Sequence, residues 1–143
     1  MASQGPTSPG TVNLPTPPTN YWVNANNCKV SDNTKTYVGH GTLSKKGTGY
    51  LFPGNFGFAI PAGATIDGIL VEVERSANYD SASLYVTDYD VFIIKSDGTR
   101  GTTDKADTVT KWPTTDAYKS YGGSSDLWGE TWTYSDINDA DFG

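Results

Sequence analysis

Short runs of alternating side chains, each bounded by glycine, proline, serine or asparagine, constrain the fold of this chain more than any other feature. Residues 56–60 and 69–75 place apolar side chains at every second position, and residues 84–95 form the longest such run. Successive side chains of a strand point to opposite faces, so this period of two predicts half-buried strands. A spacing of roughly 8–12 residues between runs is typical of sandwiches and barrels. We therefore predict an all-β fold, an antiparallel β-sandwich or jelly roll.

Residues 1–19 differ in composition from the rest of the chain. Prolines are spread there among glycine, serine and threonine, and Val12 and Leu14 are its only branched apolar side chains. This composition predicts an extended, polyproline-like N-terminal arm in front of a β-sandwich domain at residues 20–143. We predict that Val12, Leu14 and Pro15 contact a neighbouring subunit. A disordered tail is the alternative that the composition leaves open.

Three short segments carry turn or helix-cap signals. Lys-Ser-Asp-Gly-Thr at residues 95–99 predicts a hairpin turn, because glycine adopts the positive φ that such turns need. Pro-Ala-Gly-Ala at residues 61–64 predicts a tight turn between strands. Residues 135–139 predict one helical turn, for which Ser135 offers an N-cap oxygen.

The charge of the chain excludes some classes of partner. The formal net charge is −6 and the pI is about 4.5, which argues against binding to the phosphate backbone of nucleic acids. No apolar run reaches about 18 residues, so we predict no membrane-spanning helix. Residues 1–6 have neither the basic nor the apolar region of a signal peptide, and we expect synthesis in the host cytoplasm. The single cysteine, Cys28, excludes an intrachain disulfide.

The sequence contains no pattern that indicates catalysis. His40, the only histidine, lies between two glycines, and the chain has no Gly-x-Ser-x-Gly nucleophile elbow. Glu72 and Glu74 alternate with valines. That pattern is typical of the solvated face of a strand, rather than of a glycosidase pair across a cleft. We therefore predict that the protein is not an enzyme and that no residue is catalytic.

Two groups of side chains are candidates for ligand binding. Acidic residues cluster at Asp88 and Asp90 and again near the end of the sequence, yet there is no calcium-loop pattern, and we predict no metal and no cofactor. Large aromatic rings stack on sugar faces, and Trp112, Trp128 and Tyr79 are the candidates for a glycan site. In a leucine-poor β-rich chain such rings are more often core residues.

Two stretches of sequence carry a resemblance to a known group of proteins. They are Gly-Phe-Ala-Ile-Pro-Ala-Gly-Ala-Thr-Ile-Asp-Gly-Ile at residues 57–69 and Asp-Leu-Trp-Gly-Glu-Thr-Trp-Thr at residues 126–133. Across residues 21–143 the chain resembles a domain that recurs in structural proteins of tailed bacteriophages. The resemblance implies a β-sandwich virion component, of head-decoration or tail-accessory type, without catalytic activity. It supplies no active site, and it does not decide between head and tail.

The resemblance also implies an alternating strand after Phe142 and Gly143. Because the sequence stops there, we expect a sheet that lacks its last strand and leaves an open edge, with Phe142 at a subunit contact. A longer natural chain is the alternative that stays open.

The function that we expect is that of a non-catalytic phage virion structural protein, a capsid decoration (cement) or tail accessory protein. Its expected partners are copies of itself, as a homo-oligomer, or a major virion protein, and its expected location is the virion. A glycan-binding or adhesion module and an extracellular filament subunit with strand exchange are the two alternatives. Exposure of the candidate rings distinguishes the first alternative, and polymers that depend on residues 1–19 distinguish the second.

Overall fold

The computed structural model describes residues 3–14, 22–39 and 48–143. Within these ranges the chain is mostly non-helical and forms two small antiparallel sheets of two short strands each. These features are compatible with the β-rich class that the alternating runs predict. The elements in chain order are strand β1 at Thr11–Asn13, a 3-10 helix at Ala25–Lys29, strand β2 at Phe52–Gly54, strand β3 at Leu70–Arg75, strand β4 at Ala117–Gly122 and helix α1 at Tyr134–Asn138.

The chain divides into two compact units, each with buried apolar side chains of its own. The first unit contains β1, β2 and both helices, and comprises Met1–Ala64, Ile94–Thr99 and Thr133–Gly143. The second unit contains β3 and β4, and comprises Thr65–Ile93 and Arg100–Trp132.

In the first unit, part of the proline-rich arm forms a strand. β1 pairs antiparallel with β2, so that Val12 faces Pro53. The N–H of Gly10 extends this pairing by donating to the carbonyl of Asn55 at 2.9 Å. The arm is thus held here by main-chain bonds of its own chain.

The run of Phe56, Phe58 and Ile60 keeps the predicted alternation without joining a ladder of strands. These three side chains are half-buried, and the residues between them are exposed. Gly57 adopts a φ of 68°, a left-handed conformation that interrupts a strand. The side chain of Asn138 takes the place of a partner strand. It accepts from the N–H of Ile60 at 2.8 Å and donates to the carbonyl of Ile60 at 2.9 Å.

In the second unit, β3 and β4 form the most regular part. Their register runs from Leu70 opposite Gly122 to Arg75 opposite Ala117. The inward face carries Arg75 and Tyr121, both buried, whereas the outward face carries exposed side chains that include Leu70 and two glutamates. The predicted strand is present, but burial does not alternate along it: Val71 is half-buried, Val73 is 39% exposed and Arg75 is buried.

The longest predicted strand, residues 84–95, is not a regular strand. Its carbonyls accept hydrogen bonds from an opposing segment at uneven intervals, as in Trp112 N–H to Val86 (2.8 Å) and Lys105 N–H to Val91 (2.9 Å). Between these bonds, aspartate carboxylates accept N–H groups that a ladder would pair with carbonyls. Because short acidic side chains compete with the backbone for such bonds, the extended segment lacks a continuous ladder.

Both predicted turns are confirmed. The N–H of Lys95 donates to the carbonyl of Thr99 at 2.8 Å, and Gly98 between them has a φ of 76°. The N–H of Ala64 donates to the carbonyl of Pro61 at 3.1 Å, which closes the second turn.

The predicted helical turn is confirmed, but its N-cap lies two residues earlier. The hydroxyl of Thr133 accepts from the N–H of Asp136, and the carboxylate of Asp136 accepts from the N–H of Thr133. This capping box satisfies two donors that the first helical turn leaves unpaired, while Ser135 lies inside α1. Among the described residues, neither helix has the length and apolar character that crossing a membrane requires.

Candidate functional site

The densest group of charged and aromatic side chains in the second unit surrounds Asp88. This Asp88 cluster consists of Arg75, Asp88, Trp112 and Tyr121. Arg75 and Tyr121 point inward from β3 and β4, and the irregular extended segments bring Asp88 and Trp112 to them. The side chains of Arg75 and Asp88 are 4% and 2% exposed. A cation and an anion are therefore buried together.

Four donors converge on the carboxylate of Asp88. Its Oδ1 accepts from the Arg75 guanidinium and from the Trp112 indole N–H, the latter at 2.7 Å. Its Oδ2 accepts from the Tyr121 hydroxyl at 2.8 Å and from the backbone N–H of Asp107 at 2.9 Å. Since an ionised carboxylate offers about four acceptor positions, this carboxylate is saturated.

The aromatic rings of the cluster also contact the Arg75 cation. Its guanidinium carbon lies 5.1 Å from the centroid of the Trp112 ring and 6.0 Å from that of Tyr121, which is cation–π range. Arg75 Nη1 donates to the Tyr121 hydroxyl at 2.7 Å. Burial, and then the hydrogen bond to Asp88, raise the pKa of Tyr121 well above its ordinary value. The phenol is therefore held neutral as a donor.

A second ion pair adjoins the cluster through the backbone of Asp107. Lys119 Nζ, from β4, donates to Asp107 Oδ2 at 2.8 Å, and the N–H of Thr110 donates to Asp107 Oδ1 at 2.8 Å. The Lys119 bond is the main cause of a pKa of Asp107 far below the ordinary range. This carboxylate stays ionised and fixes the chain that delivers an N–H to Asp88.

The chemistry that this arrangement can perform is limited, because the cluster is closed on itself. Within the described residues, every buried side-chain nitrogen and oxygen has a hydrogen-bond partner. The same residues contain no group of three or more His, Cys, Asp or Glu side chains arranged to hold a metal ion. The cluster uses its donors and acceptors to join β3, β4 and the extended segments to one another.

Trp128 forms a separate, fully buried anchor in the same unit. The residue is 2% exposed, and its indole N–H donates to the carbonyl of Ile69 at 3.0 Å. Its backbone adopts a φ of 56°, and the carboxylate of Asp126 holds this turn by accepting the Trp128 N–H at 2.9 Å. Lys105 lies 5.2 Å from the ring centroid and bonds Asp126 at 2.7 Å. The ring has no open face on which a sugar could stack.

The other two candidate glycan residues lie in different surroundings. Trp112 is half-buried and belongs to the Asp88 cluster, whereas Tyr79 is 60% exposed. The structure therefore does not bring Trp112, Trp128 and Tyr79 together as one exposed platform.

The residues predicted to contact other subunits are also placed differently from one another. Val12 is half-buried in β1, and Leu14 is exposed. Phe142 is only 4% exposed, because its ring packs edge-on against Phe58 at 6.4 Å between centroids; its side chain serves the interior of the first unit. Pro15 lies outside the described residues.

The sequence analysis named Asp88 only as part of an acidic group and missed its pairing with Arg75, although the signal for Arg75 was present. Position 75 lies on the same face of β3 as position 71, which is half-buried, so a charged side chain there signals a buried partner. No spacing rule identified that partner as Asp88, which is 13 residues further along the chain.

One exposed surface of the second unit combines aromatic and charged side chains. This tyrosine surface consists of Tyr79, Asp80, Tyr85 and Lys111. Lys111 Nζ bonds Asp80 Oδ1 at 2.9 Å and lies 5.0 Å from the centroid of the Tyr85 ring. Tyrosines with one apolar face and one polar tip are enriched where proteins meet their partners. This surface is a candidate for contact with another molecule.

Comparison with known proteins adds no relative. A scan against protein-family models finds no matching family, and searches of curated proteins and of solved structures find no match. The fold and the Asp88 cluster together describe a β-rich protein. In the part of the chain that the structure describes, the buried charged and aromatic groups of the cluster bond to one another.

Proposed function

We propose that this chain is a non-catalytic structural protein of a tailed-phage virion, a capsid decoration or tail accessory protein. It acts through contacts with copies of itself or with a major virion protein. As part of this proposal, the protein is an antiparallel β-sandwich or jelly roll. The sequence resemblance supports the virion context, and the closed Asp88 cluster is the observation that carries the absence of catalysis.

The closed cluster matters because it is where catalysis would be expected. A buried carboxylate beside a guanidinium, a phenol and an indole has the composition of an acid–base site. A catalytic group must be within hydrogen-bond reach of substrate. Here the four donors to Asp88 come from the protein itself, so no acceptor position is left for a substrate.

The tyrosine surface supports a role in association. Tyr79 and Tyr85 are 60% and 48% exposed, and the Lys111–Asp80 pair beside them is neutral as a whole. Aromatic rings with a locally balanced charge suit contact with a protein surface, where charge without a partner would oppose desolvation.

The virion proposal is tested on phage particles whose genome encodes this chain. Particles are purified by density gradient, and their proteins are quantified by mass spectrometry. We expect this chain in a fixed ratio to the major virion proteins across gradient fractions. A chain that stays in the lysate and never sediments with particles overturns the proposal.

The contact surface is tested by substitution in the same particles. Tyr85→Ser is expected to lower incorporation at least about tenfold if the lost interface contact is worth about 1.4 kcal/mol or more. Tyr37→Ser is the matched control, since Tyr37 has a similar exposure of 50% and belongs to the first unit. Equal incorporation of both variants removes the tyrosine surface from the proposal.

A second candidate function, glycan binding, is favoured by one observation. Tyr79 is 60% exposed and precedes Asp80, whose carboxylate bonds Lys111; an exposed ring and hydrogen-bonding groups are what a sugar site needs. A glycan array probed with the purified chain tests it. Binding that disappears in Tyr79→Ala and persists in Tyr37→Ser favours this function; no binding on the array removes it.

A further inference from the structure

The seat of strand β1 on strand β2 is built mainly from main-chain bonds. Thr11–Asn13 pairs with Phe52–Gly54, and the Gly10 N–H donates to the Asn55 carbonyl at 2.9 Å. The second main-chain group of Gly10, its carbonyl, accepts from Lys29 Nζ at 3.3 Å. Such bonds recognise an extended backbone and do not depend on which copy of the chain supplies it.

The side chains of the arm add little to this seat. Thr11 and Asn13 are exposed, Val12 is half-buried and Leu14 is exposed. None of the fully buried apolar side chains of the described residues lies in residues 3–14. Gln4 Oε1 also accepts from the N–H of Ala59 at 2.7 Å. Displacing the arm therefore breaks this bond and the main-chain bonds of the pairing, at about 1 kcal/mol each.

The seat is nevertheless specific in shape. A Cβ on Gly10 would lie 2.8 Å from the Asn55 carbonyl oxygen and 3.0 Å from its side-chain nitrogen, closer than such atoms approach. Only a glycine fits at this point of the pairing. The arm carries glycine at this position, and the arm of another copy carries it too.

We propose that, in the assembled state, β1 of one copy occupies the seat on β2 of a second copy. This inference rests on the proposed function as a structural subunit and names its partner, a second copy of this chain. Exchange preserves every bond of the seat, because the donors and acceptors are identical. Exchanging an identical element between protomers is a low-cost route to assembly.

Two features of the sequence favour exchange over return to the same chain. Prolines on both sides of β1, among them Pro9 and Pro15, favour an extended chain of about 3.1 Å per residue that reaches outward. Subunits on a particle also face one another at high effective concentration, which lets an intermolecular contact compete with an intramolecular one.

The test is a directed disulfide between two differently labelled chains. In a Cys28→Ser background, full-length Val12→Cys and full-length Pro53→Cys chains carry different tags, are co-expressed during phage infection and are oxidised in the assembled particles. Residues that face each other across antiparallel strands lie at Cα distances of about 4.5–5.5 Å, within the range of a disulfide. Arm exchange predicts a mixed-tag disulfide dimer on a non-reducing gel.

Chance collisions are measured with a control pair. Val12→Cys is co-expressed with Val109→Cys, whose position is 86% exposed and belongs to the second unit. We expect at least about ten times more mixed-tag dimer from the facing pair than from the control pair. A yield no higher than the control overturns arm exchange.

Two glycine substitutions test whether the disulfide dimer forms through the pairing of β1 with β2. Gly10→Ala, added to the Val12→Cys chain, is expected to reduce the dimer to the control level. Gly39→Ala is expected to leave it unchanged, because a Cβ there meets nothing within 4 Å. Retention of the full dimer yield in Gly10→Ala contradicts the proposed seat.

The outcomes separate this inference from the proposed function. A chain present in virions that never forms the mixed-tag dimer keeps its structural role and loses arm exchange. A chain that exchanges its arm but is absent from virions keeps the exchange and loses the virion context.

Discussion

The Asp88 cluster and the seat of β1 both depend on hydrogen bonds, but the two regions differ in what surrounds those bonds. In the cluster, charged and aromatic groups are buried and donate or accept among themselves. In the seat, main-chain groups pair while the side chains of the arm stay largely exposed. A hydrogen bond contributes about 1 kcal/mol when water can replace the partner, whereas a buried group left without its partner costs much more. The bonds of the Asp88 cluster are therefore costly to break, whereas those between β1 and β2 can be broken and re-formed at a lower cost.

The largest expected effect comes from removing the cation of the cluster. Arg75→Ala leaves the Asp88 carboxylate buried without its counter-charge, and breaking a buried pair from one side costs about 3–5 kcal/mol. We expect the free energy of unfolding, measured by urea denaturation, to fall by that amount.

The second arginine is the matched control for this prediction. The side chain of Arg100 is 49% exposed and 3.6 Å from Asp90, and exposed pairs contribute about 0–1 kcal/mol. If Arg75→Ala lowers the free energy of unfolding no more than Arg100→Ala does, the Asp88 cluster is not held by a costly buried ion pair, and its contrast with the β1–β2 pairing is wrong.

Two adjacent glycines give the next largest difference. Gly122 ends β4 at a φ of 74°, and a Cβ there would lie 2.3 Å from the Ile69 carbonyl and 2.5 Å from the Trp128 indole nitrogen. The strained backbone and the overlap together predict a loss of about 2–4 kcal/mol for Gly122→Ala. Thermal unfolding followed by Trp fluorescence measures it.

Gly123 provides the control one residue away. Nothing lies within 4 Å of a Cβ built there, so Gly123→Ala is expected to change stability by less than about 1 kcal/mol. Similar losses at both positions would show that the close approach of Trp128 to β4 is not what requires glycine.

A smaller effect is expected at the start of α1. Thr133→Ala removes the hydroxyl that accepts from the Asp136 N–H, at a cost of about 1 kcal/mol. Ser135→Ala is expected to cost less, because Ser135 lies inside the helix. Urea denaturation of both variants decides between the observed cap and the one that the sequence predicts.

The smallest effect is a shift in titration. The raised pKa of Tyr121 means that its phenol stays neutral in the folded protein beyond its ordinary value of 10.0. The stability that this hydroxyl contributes is thus complete below pH 10.0 and is lost as the pH rises through the folded pKa. We expect one of the nine tyrosines to ionise late in an ultraviolet titration of the native protein.

Tyr121→Phe is the check on that assignment. The variant should lack the late-ionising phenol while its other tyrosines titrate as before. A late phenol that persists in Tyr121→Phe belongs to another residue, and the closed Asp88 cluster then loses its spectroscopic support.

Much of the local structure could be predicted from the sequence. The turns at Gly63 and Gly98, the strand at β3 and the helical turn near the end all follow from signals within a few residues of the structure they specify. Such signals act locally because a φ preference or a side-chain period needs no distant partner.

The candidate site could not be predicted in the same way. Tyr121 and Trp112 reach the Asp88 carboxylate from 33 and 24 residues away in sequence. The irregular run at residues 84–95 also depended on aspartates that compete for backbone N–H groups, which its apolar alternation does not show. Phe142, expected at a subunit contact, is buried by a ring more than 80 residues earlier in the chain.

The sequence by itself thus determined the β-rich class, the positions of the turns and the proline-rich character of the arm, because these depend on local sterics and composition. Only the tertiary structure decided that Arg75 and Asp88 are buried as a pair and that β1 lies on β2. Those outcomes depend on which distant groups meet when the chain folds, since a buried charge or an unpaired N–H is tolerated only where a partner arrives.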